Sequence, residues 1–310
     1  MWKKKSIAAP KGFNYHLTVQ SHGWYNLAPF KFDETTGTLR YVFAEGGKSK
    51  PVTAAVESKG RTLMITLDRS VSDRSPILDK IRHIFRLDDD LTGFYEGFCQ
   101  NELSWVRKRG AGRLLRSPTV FEDLVKTMCT TNCSWGLTEK MVSNLVEMLG
   151  EKGSDGKGAA FPTAEAMASQ DEKFYRSEIK AGYRSPFFVE LADSVASKMV
   201  DPEEWLNSEL PTPELKKQIK SVKGIGDYAA ENMLKLIGRY DGLALDSWLR
   251  AQFYKKHNGS KACSDKKIEK RYSRFGEWQG LAIWCDMTEH WHNQERVVNL
   301  NEPKVVETKA

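Results

Sequence analysis

The sequence predicts an α+β protein, in which an N-terminal antiparallel β-sheet domain is followed by an all-α region. Two observations predict this order. In the first third of the chain, apolar and polar residues alternate with the period of a half-buried strand, and from Ser75 onward the apolar period becomes helical. We therefore expect a β domain over 1–75, a helical domain over 76–292 and a flexible tail over 293–310.

The predicted strands lie in the first 70 residues and are separated by turn signals. Alternation of apolar and polar residues marks Tyr15–Val19 and Thr62–Leu67, and aromatic or β-branched residues mark 39–43 and, more weakly, 52–56. Gly, Pro and Asp residues occupy the intervening segments, as is typical of turns. These features predict a small antiparallel sheet over about residues 12–70.

The helical region contains two helix starts in which a cap residue precedes proline. Ser117-Pro118 and Thr212-Pro213 both have this pattern, with proline at the first helical position. Two apolar stripes predict core-facing helices, formed by Phe121, Leu124, Val125 and Met128 and by Phe188, Leu191, Ala192, Val195, Ala196 and Met199. The glycine-rich stretch 150–160 lacks GxxxxGK[ST] and is predicted to be a mobile connection.

Composition places the chain among ordinary globular proteins and leaves its partner open. Its 310 residues are enough for about two domains of roughly 100–200 residues each. Its 47 Lys and Arg against 41 Asp and Glu give a net charge of +6, which is compatible with a polyanionic partner without requiring one. No run of 18 apolar residues occurs, so the sequence predicts no membrane-spanning helix.

The N-terminus and the cysteines both indicate a reducing compartment. The basic N-terminus lacks the apolar stretch that a signal peptide needs, and five scattered cysteines do not suggest a disulfide framework. Cys129 and Cys133 stand four apart without a second close pair, which favours core thiols over zinc ligands. We expect a protein that is not secreted, and that is cytoplasmic in a bacterium or nuclear in a eukaryote.

The segment 219–250 (IKSVKGIGDYAAENMLKLIGRYDGLALDSWLR) is the most informative in the chain. It overlaps a predicted pair of helices, over 213–237, that are joined by a very short turn. Two glycines permit this turn, and the aliphatic residue between them is expected to pack back between the helices. The exposed amides of the turn then form a site for a phosphodiester that reads no base sequence. An ordinary corner between helices is the alternative. The turn residues are Lys223, Gly224, Ile225 and Gly226.

Asp246 follows this hairpin at a spacing that is typical of a known family. It lies 20 residues after Gly226, at the start of a further predicted helix that contains Arg250. The combined pattern resembles the helix-hairpin-helix–GPD superfamily of base-excision DNA glycosylases, although Ala244-Leu245 replaces the Gly-Pro that usually precedes the aspartate. The resemblance implies that the helical domain is a glycosylase core and that Asp246 is its catalytic residue.

Other segments resemble the 8-oxoguanine and 3-methyladenine glycosylase branch of the superfamily. They are 114–116 (LLR), 128–132 (MCTTN), 181–184 (AGYR) and 272–282 (YSRFGEWQGLA), and with the N-terminal sheet the resemblance covers roughly residues 12–292. It implies a monomer that binds double-stranded DNA containing a damaged base. The sequence has no cysteine quartet of the kind that holds an iron–sulfur cluster, so no cluster is expected, and no side chains suggest a metal site. A monovalent cation bound by backbone carbonyls of the hairpin is typical of the family.

The resemblance gives Asp246 a chemical role. Cleavage of an N-glycosidic bond builds positive charge on the sugar, which a carboxylate stabilises. Alternatively Asp246 only caps the helix that begins at Ser247, and the two roles are compatible. Members that also cut the strand carry a Schiff-base lysine two residues past the second glycine. Tyr228 stands there and Lys235 lies two turns further along, so a monofunctional enzyme is expected.

Asn132 occupies the position of a family residue that enters the duplex. When the damaged base is extruded, that residue contacts the opposite base, which is left unpaired. A plain turn between two helices is the alternative interpretation. Six basic residues form a candidate strip facing the phosphates, although such runs are more often solvated faces. They are Arg82, Arg86, Arg107, Lys108, Arg109 and Arg113.

The pocket for the extruded base is expected to be aromatic, because stacking holds such a base. Candidates for the pocket, or otherwise for the core, are Trp24, Tyr228, Trp248 and Trp284. Counting from the matched segment 272–282 places Ile283 and Met287 where the oxidised-guanine enzymes have a glutamine and a stacking phenylalanine. Their apolar side chains favour an alkylated purine as the substrate.

The leading hypothesis is therefore a monofunctional DNA glycosylase of base excision repair that acts on a damaged, preferably alkylated, purine. One alternative is an 8-oxoguanine-type glycosylase with or without AP lyase activity. Another is a non-catalytic helix-hairpin-helix protein that only binds DNA.

Overall fold

A five-stranded antiparallel sheet forms the N-terminal part of the chain. The structure is a computed structural model and describes residues 3–44, 50–153, 156 and 158–293. Its strands are β1 (Lys3–Ala8), β2 (Lys31–Asp33), β3 (Thr38–Phe43), β4 (Val52–Lys59) and β5 (Thr62–Leu67). They are ordered β1-β5-β4-β3-β2, so the first strand of the chain pairs with the last.

Three predicted strands are confirmed, namely β3, β4 and β5. Strands β1 and β2 were not predicted. In β1 the only buried side chain among those described is Ile7, so the alternation that marks a half-buried strand is absent from its sequence. Strand β2 has only three residues and is too short to show a period.

The prediction of a strand over Tyr15–Val19 was wrong, because this segment is a short helix, α1. The side chain of Asn14 caps it by accepting a hydrogen bond of 3.1 Å from the amide of Leu17. Over five residues, alternating apolar side chains fit one helical turn as well as a strand. The hydroxyl of Tyr15 donates to the carbonyl of Val56 at 2.6 Å and fixes α1 against β4.

Helices form most of the remaining described chain, which confirms the predicted α+β class. They are α2 (Ser75–Ile84), α3 (Thr92–Gly97), α4 (Ser104–Arg109), α5 (Val120–Thr130), α6 (Trp135–Leu149), α7 (Ala164–Ala168), α8 (Glu172–Ser177), α9 (Ser185–Ala196), α10 (Thr212–Lys220), α11 (Asp227–Leu236), α12 (Ser247–His257), α13 (Asp265–Tyr272) and α14 (Gln279–Asn293).

Helix α5 begins later than the cap-and-proline pattern predicted. Its cap is Thr119, whose side chain accepts a hydrogen bond of 3.2 Å from the amide of Glu122. The amide of Ser117 instead donates to the carboxylate of Asp123 at 2.9 Å. Ser117-Pro118 thus precedes the helix and is held to its first turn by a buried aspartate.

Two hydrophobic clusters fill the interior of the described chain. The first combines the sheet with helices that include α5, α9, α10 and α11, and the second combines α3, α4, α12, α13 and α14. The chain passes from one cluster to the other between Ile237 and Tyr240. The hairpin and the helix after Asp246 therefore belong to different clusters, and a site that uses both lies between them.

The remaining predictions concern cysteines, membrane helices and the tail. All five cysteines are free, and Cys129 is buried in the first cluster as predicted. Among the described helices, none has the length and hydrophobicity that crossing a membrane requires. Met199, predicted on the stripe of α9, lies beyond the helix and is exposed. Apart from residue 293, the predicted tail falls outside the described residues.

Candidate active site

The hairpin between α10 and α11 has the geometry that its glycines predicted. Gly224 has φ +87°, and a Cβ there would lie 2.7 Å from a ring carbon of Phe187. Ile225 is buried in the first cluster, and its amide donates to the carbonyl of Val222 at 3.1 Å. Gly226 is exposed, with no atom near the position that a Cβ would take. The turn is thus anchored by Ile225 and open at Gly226.

The basic residue of the hairpin, Lys223, is exposed and forms an ion pair of 2.8 Å with Glu190. Both side chains lie in solvent, so the pair is weak and a phosphate can replace the glutamate. Beside it, hydrogen bonds from Lys220 and then Lys216 lower the pKa of Asp227, the first residue of α11. Binding of DNA phosphate by the hairpin stays a prediction, as does the cation expected on its carbonyls.

Asp246 is held at the start of α12 by the helix itself. Its carboxylate accepts a hydrogen bond of 2.6 Å from the amide of Leu249. Asp246 therefore caps α12, which is the alternative role that the sequence predicted. The side chain is half-buried and also lines a cavity. Capping therefore keeps the carboxylate at the wall of the cavity.

The loop before Asp246 contains a strained residue. Ala244 has φ +51°, a left-handed conformation in which glycine is favoured, and it stands in place of the glycine of the family pattern. Its amide donates to the carboxylate of Glu231 at 2.6 Å, and the same carboxylate accepts from Lys216 at 2.6 Å. Sequence reasoning missed Glu231, which joins α10, α11 and the aspartate loop.

A cavity of about 510 Å³ lies in front of Asp246, between the two hydrophobic clusters. Five tryptophans line it, of which Trp248, Trp284 and Trp291 form a group with ring centroids 5.2–5.9 Å apart. The other two are Trp24 and Trp135. The three rings contact one another, and tryptophan faces that line a cavity suit a flat aromatic ligand.

Four predicted pocket residues line this cavity together, namely Trp24, Tyr228, Trp248 and Trp284. The structure does not bring Ile283 and Met287 to it, since both are buried in the second cluster. The helical period explains the difference. Trp284 and Trp291 are seven residues apart and share one face of α14, whereas Ile283 and Met287 lie on a neighbouring face.

Tyr228 stands at the position where strand-cutting members of the family pattern carry a lysine, and it lies beside Asp246. Burial raises the pKa of its phenol, and the negative charge of Asp246 and a hydrogen bond with that carboxylate raise it further. The phenol therefore remains protonated at neutral pH and donates to Asp246. The side chain of Asn232, one turn later, donates to the carbonyl of Tyr228 at 3.0 Å.

Lys235 also lines the cavity, although it is buried with 3% of its surface exposed. Its Nζ donates to the carbonyl of Leu243 at 3.3 Å and lies 5.5 Å from the ring centroid of Trp284. Burial lowers the pKa of Lys235 to about 8, against the opposing charges of Glu231 and Asp246. Lys235 follows Tyr228 by seven residues, so the two side chains lie on one face of α11. This spacing could have identified Lys235 as a cavity residue from the sequence.

Asn132 lies in the turn between α5 and α6, next to the cavity residue Cys133. It is exposed, has φ +46°, and its amide donates to the hydroxyl of Tyr183 at 3.3 Å. Arg184 donates to the hydroxyl of Thr131 at 3.1 Å. The segments 128–132 and 181–184, which separately resembled the family, therefore contact each other and present Asn132 and Tyr183 to solvent.

The predicted basic strip is not one surface. Arg86 is fully buried and donates to the carbonyls of Lys235 and Leu236 at 3.2 and 2.9 Å, where it compensates the C-terminal end of α11. Arg113 is also buried and donates to the backbone of Asp89. The other members are at least partly exposed: Arg82, Arg107, Lys108 and Arg109.

No protein-family model and no curated protein matches the sequence. Solved structures match it. MBOgg1 in complex with a low-affinity DNA ligand has a TM-score of 0.73 and 20% identity, covering 93% of this chain and 96% of that one. The 3-methyladenine DNA glycosylase of Archaeoglobus fulgidus has a TM-score of 0.74 and 20% identity, with coverages of 94% and 99%.

A third match is the 8-oxoguanine glycosylase/lyase of Clostridium acetobutylicum, in complex with double-stranded DNA that contains cytosine opposite 8-oxoguanine. Its TM-score is 0.72 at 19% identity, and it covers 94% of this chain and 98% of that one. At such identities the likeness is one of fold. Over nearly its whole length, this chain therefore has the fold of the 8-oxoguanine and 3-methyladenine DNA glycosylases.

Proposed function

We propose that this protein is a monofunctional DNA glycosylase that removes a damaged purine from double-stranded DNA. The observation that carries the proposal is the position of Asp246, fixed by its helix at the wall of a cavity lined by tryptophans. A base turned out of the duplex would stack in the cavity. Its sugar would then lie at the mouth, near the carboxylate of Asp246.

The carboxylate supplies the chemistry of this step. As the N-glycosidic bond lengthens, positive charge develops on the sugar, and Asp246 stabilises it without having to reorganise. The same carboxylate orients the water that attacks C1′. The phenol of Tyr228 donates to Asp246 and supports its orientation.

The monofunctional part of the proposal rests on Tyr228. A phenol forms no Schiff base with an abasic sugar, whereas the amine of a lysine does. The amine of Lys235 starts seven residues further along α11, about 10 Å along the helix axis. It is also engaged by the carbonyl of Leu243.

A second candidate is a glycosylase with AP lyase activity, and one observation favours it. Lys235 shares the cavity with Asp246, and its lowered pKa leaves part of its amine unprotonated. A non-catalytic DNA-binding protein is less well supported, because such a protein needs neither the cavity nor the aspartate.

The preference for alkylated purines, by contrast, loses its basis. It depended on Ile283 and Met287, which do not line the cavity.

The test is a panel of duplexes that each contain one lesion, incubated with the protein and then treated with alkali, which cuts at abasic sites. Excision by the wild-type chain and its loss in Asp246→Asn support the proposal. Release of no lesion contradicts it. Strand cleavage before alkali, with a complex trapped by borohydride, supports the lyase candidate instead.

A further inference from the structure

The lining of the cavity includes polar side chains as well as the tryptophans. Buried polar residues of this lining include His22, Thr127 and Lys235, with exposed fractions of 9%, 1% and 3%. Trp284 lies beside two of them, with its ring centroid 6.5 Å from that of His22 and 5.5 Å from Nζ of Lys235. A base stacked in the cavity would present one edge to this group.

His22 supplies a hydrogen-bond acceptor. Its Nε2 lies 2.5 Å from the carbonyl oxygen of Leu115, and because a carbonyl only accepts, Nε2 carries the hydrogen. Burial, together with the positive charges of Arg86, Lys126 and Lys235, lowers the pKa of His22 to about 4. The ring is therefore neutral, and Nδ1 has a free lone pair.

Lys235 supplies the donor. Its ammonium has three N–H bonds, and the described residues provide one acceptor, the carbonyl of Leu243. Thr127 adds a hydroxyl, Oγ1, that is buried and has no hydrogen-bond partner among the described residues. Buried polar atoms of this kind are rarely left without a partner, so this hydroxyl is available to a water or a ligand in the cavity.

We propose that this group recognises the lactam edge of a neutral purine, in which a carbonyl oxygen stands next to an N–H. Lys235 would donate to the carbonyl and His22 would accept from the N–H. Purines of this kind arise by oxidation or by deamination, as in 8-oxoguanine and hypoxanthine. The inference deepens the proposed function and rests on it, because it assigns the class of base that the cavity takes.

The same arrangement disfavours purines that carry a positive charge. At a separation of about 5 Å and an effective dielectric constant of about 20, repulsion from the Lys235 ammonium corresponds to about 250-fold in affinity. Attraction of a cationic base by one tryptophan face is worth about 30-fold. Repulsion therefore outweighs attraction for an N-alkylated, cationic purine.

Guanine itself also has a neutral lactam edge, so Lys235 does not distinguish a lesion from guanine. It sets which class of base is accepted once extruded. The energy needed to extrude a base, which is lower for damaged or mispaired bases, then determines which purine leaves the duplex.

Four lesions separate charge from hydrogen bonding. Hypoxanthine and 8-oxoguanine are neutral lactams, 7-methylguanine is a cation that keeps the lactam edge, and ethenoadenine is neutral without one. Wild-type protein is expected to excise at least one of the first two about 10- to 100-fold faster than either of the others, because ethenoadenine lacks the charged hydrogen bond and 7-methylguanine is repelled by the Lys235 ammonium. Lys235→Met should remove most of this advantage and speed 7-methylguanine relative to hypoxanthine. The exposed Lys173→Met is the matched control and should behave as wild type.

A second measurement does not depend on catalysis. Duplexes with the same lesions are bound to Asp246→Asn protein, with and without Lys235→Met, and the dissociation constants are compared. Tighter binding of the neutral lactams that disappears with Lys235→Met supports the assignment, even where no base is released and the proposed function fails. Excision or binding that favours 7-methylguanine, or an order that Lys235→Met leaves unchanged, overturns the assignment while the glycosylase proposal stands.

Discussion

The carboxylate of Asp246 accepts a hydrogen bond of 2.6 Å from the backbone amide of Leu249, so the proposed catalytic residue is also the cap of α12. One side chain thus serves two roles that a substitution can separate. Asparagine caps a helix about as well as aspartate but carries no charge.

We therefore expect Asp246→Asn to retain its fold and lose its activity. Thermal unfolding should show a change in unfolding free energy of less than about 1 kcal/mol, because the cap survives. Single-turnover excision should fall by at least about 100-fold, because the charge that stabilises the sugar cation is gone. Asp246→Ala is the control for the cap, and it should lose stability as well. Full activity of Asp246→Asn would refute a catalytic role.

A second prediction concerns the residue that replaces the lysine. Tyr228→Lys places an amine beside Asp246 on the first turn of α11. We expect this variant to give a covalent complex with abasic duplex on borohydride reduction, since its amine forms a Schiff base. Tyr228→Phe removes only the hydroxyl, and should give no complex. A trapped complex of equal yield in the wild-type chain would show that another amine, such as that of Lys235, already serves as nucleophile.

The hairpin and the aspartate could be predicted from sequence because local rules determine them. Gly224 is required by its positive φ and Asp246 by its spacing and by capping. The cavity could not be predicted in this way. Its walls come from residues 22–24 after α1 and from α5, α6, α11, α12 and α14. An error of one residue in counting along α14 exchanges Trp284 for Ile283. Tertiary contacts, which a local pattern does not contain, decide which face of a helix is used.

The strain at Ala244 gives a third prediction. Its φ of +51° is unfavourable for a residue with a Cβ, and Glu231 holds its amide. Ala244→Gly should raise the free energy of unfolding by roughly 0.5–1 kcal/mol without changing excision. Ala251→Gly, at an exposed position inside α12, is the matched control and should lower it by a similar amount. Destabilisation by Ala244→Gly would show that the loop is not strained.

Lys235 leads to a prediction about stability and pH. Burial lowers its pKa to about 8 from 10.5, while Glu231, Asp246 and the Cys285 thiol oppose this shift. Between these values the unfolded chain binds more protons than the folded one, so stability due to this group rises with pH from about 8 to 10.5. Replacing a buried charge by an apolar side chain of similar size is often neutral or stabilising.

Chemical denaturation of the wild-type chain and Lys235→Met at pH 7, 8, 9 and 10 tests this prediction. We expect the variant to be at least as stable as the wild type at pH 7, and its advantage to shrink as the pH rises. The control Lys173→Met should show no such pH dependence relative to the wild type, because that side chain is exposed. A variant that is less stable at pH 7, with a deficit that does not vary with pH, would contradict the desolvation of Lys235.

The two hairpin glycines should respond differently to alanine. Gly224 has φ +87° and lies against Phe187, so Gly224→Ala should lower the free energy of unfolding by roughly 1–3 kcal/mol. Gly226 has φ −87° and open space around it, so Gly226→Ala should change stability by less than about 1 kcal/mol. Its methyl group would nevertheless stand where the DNA backbone is expected to approach the amides, which should weaken binding by about 3- to 10-fold. Thermal unfolding and duplex binding over a range of salt concentrations measure both effects, and wild-type binding by Gly226→Ala would show that the hairpin does not contact DNA.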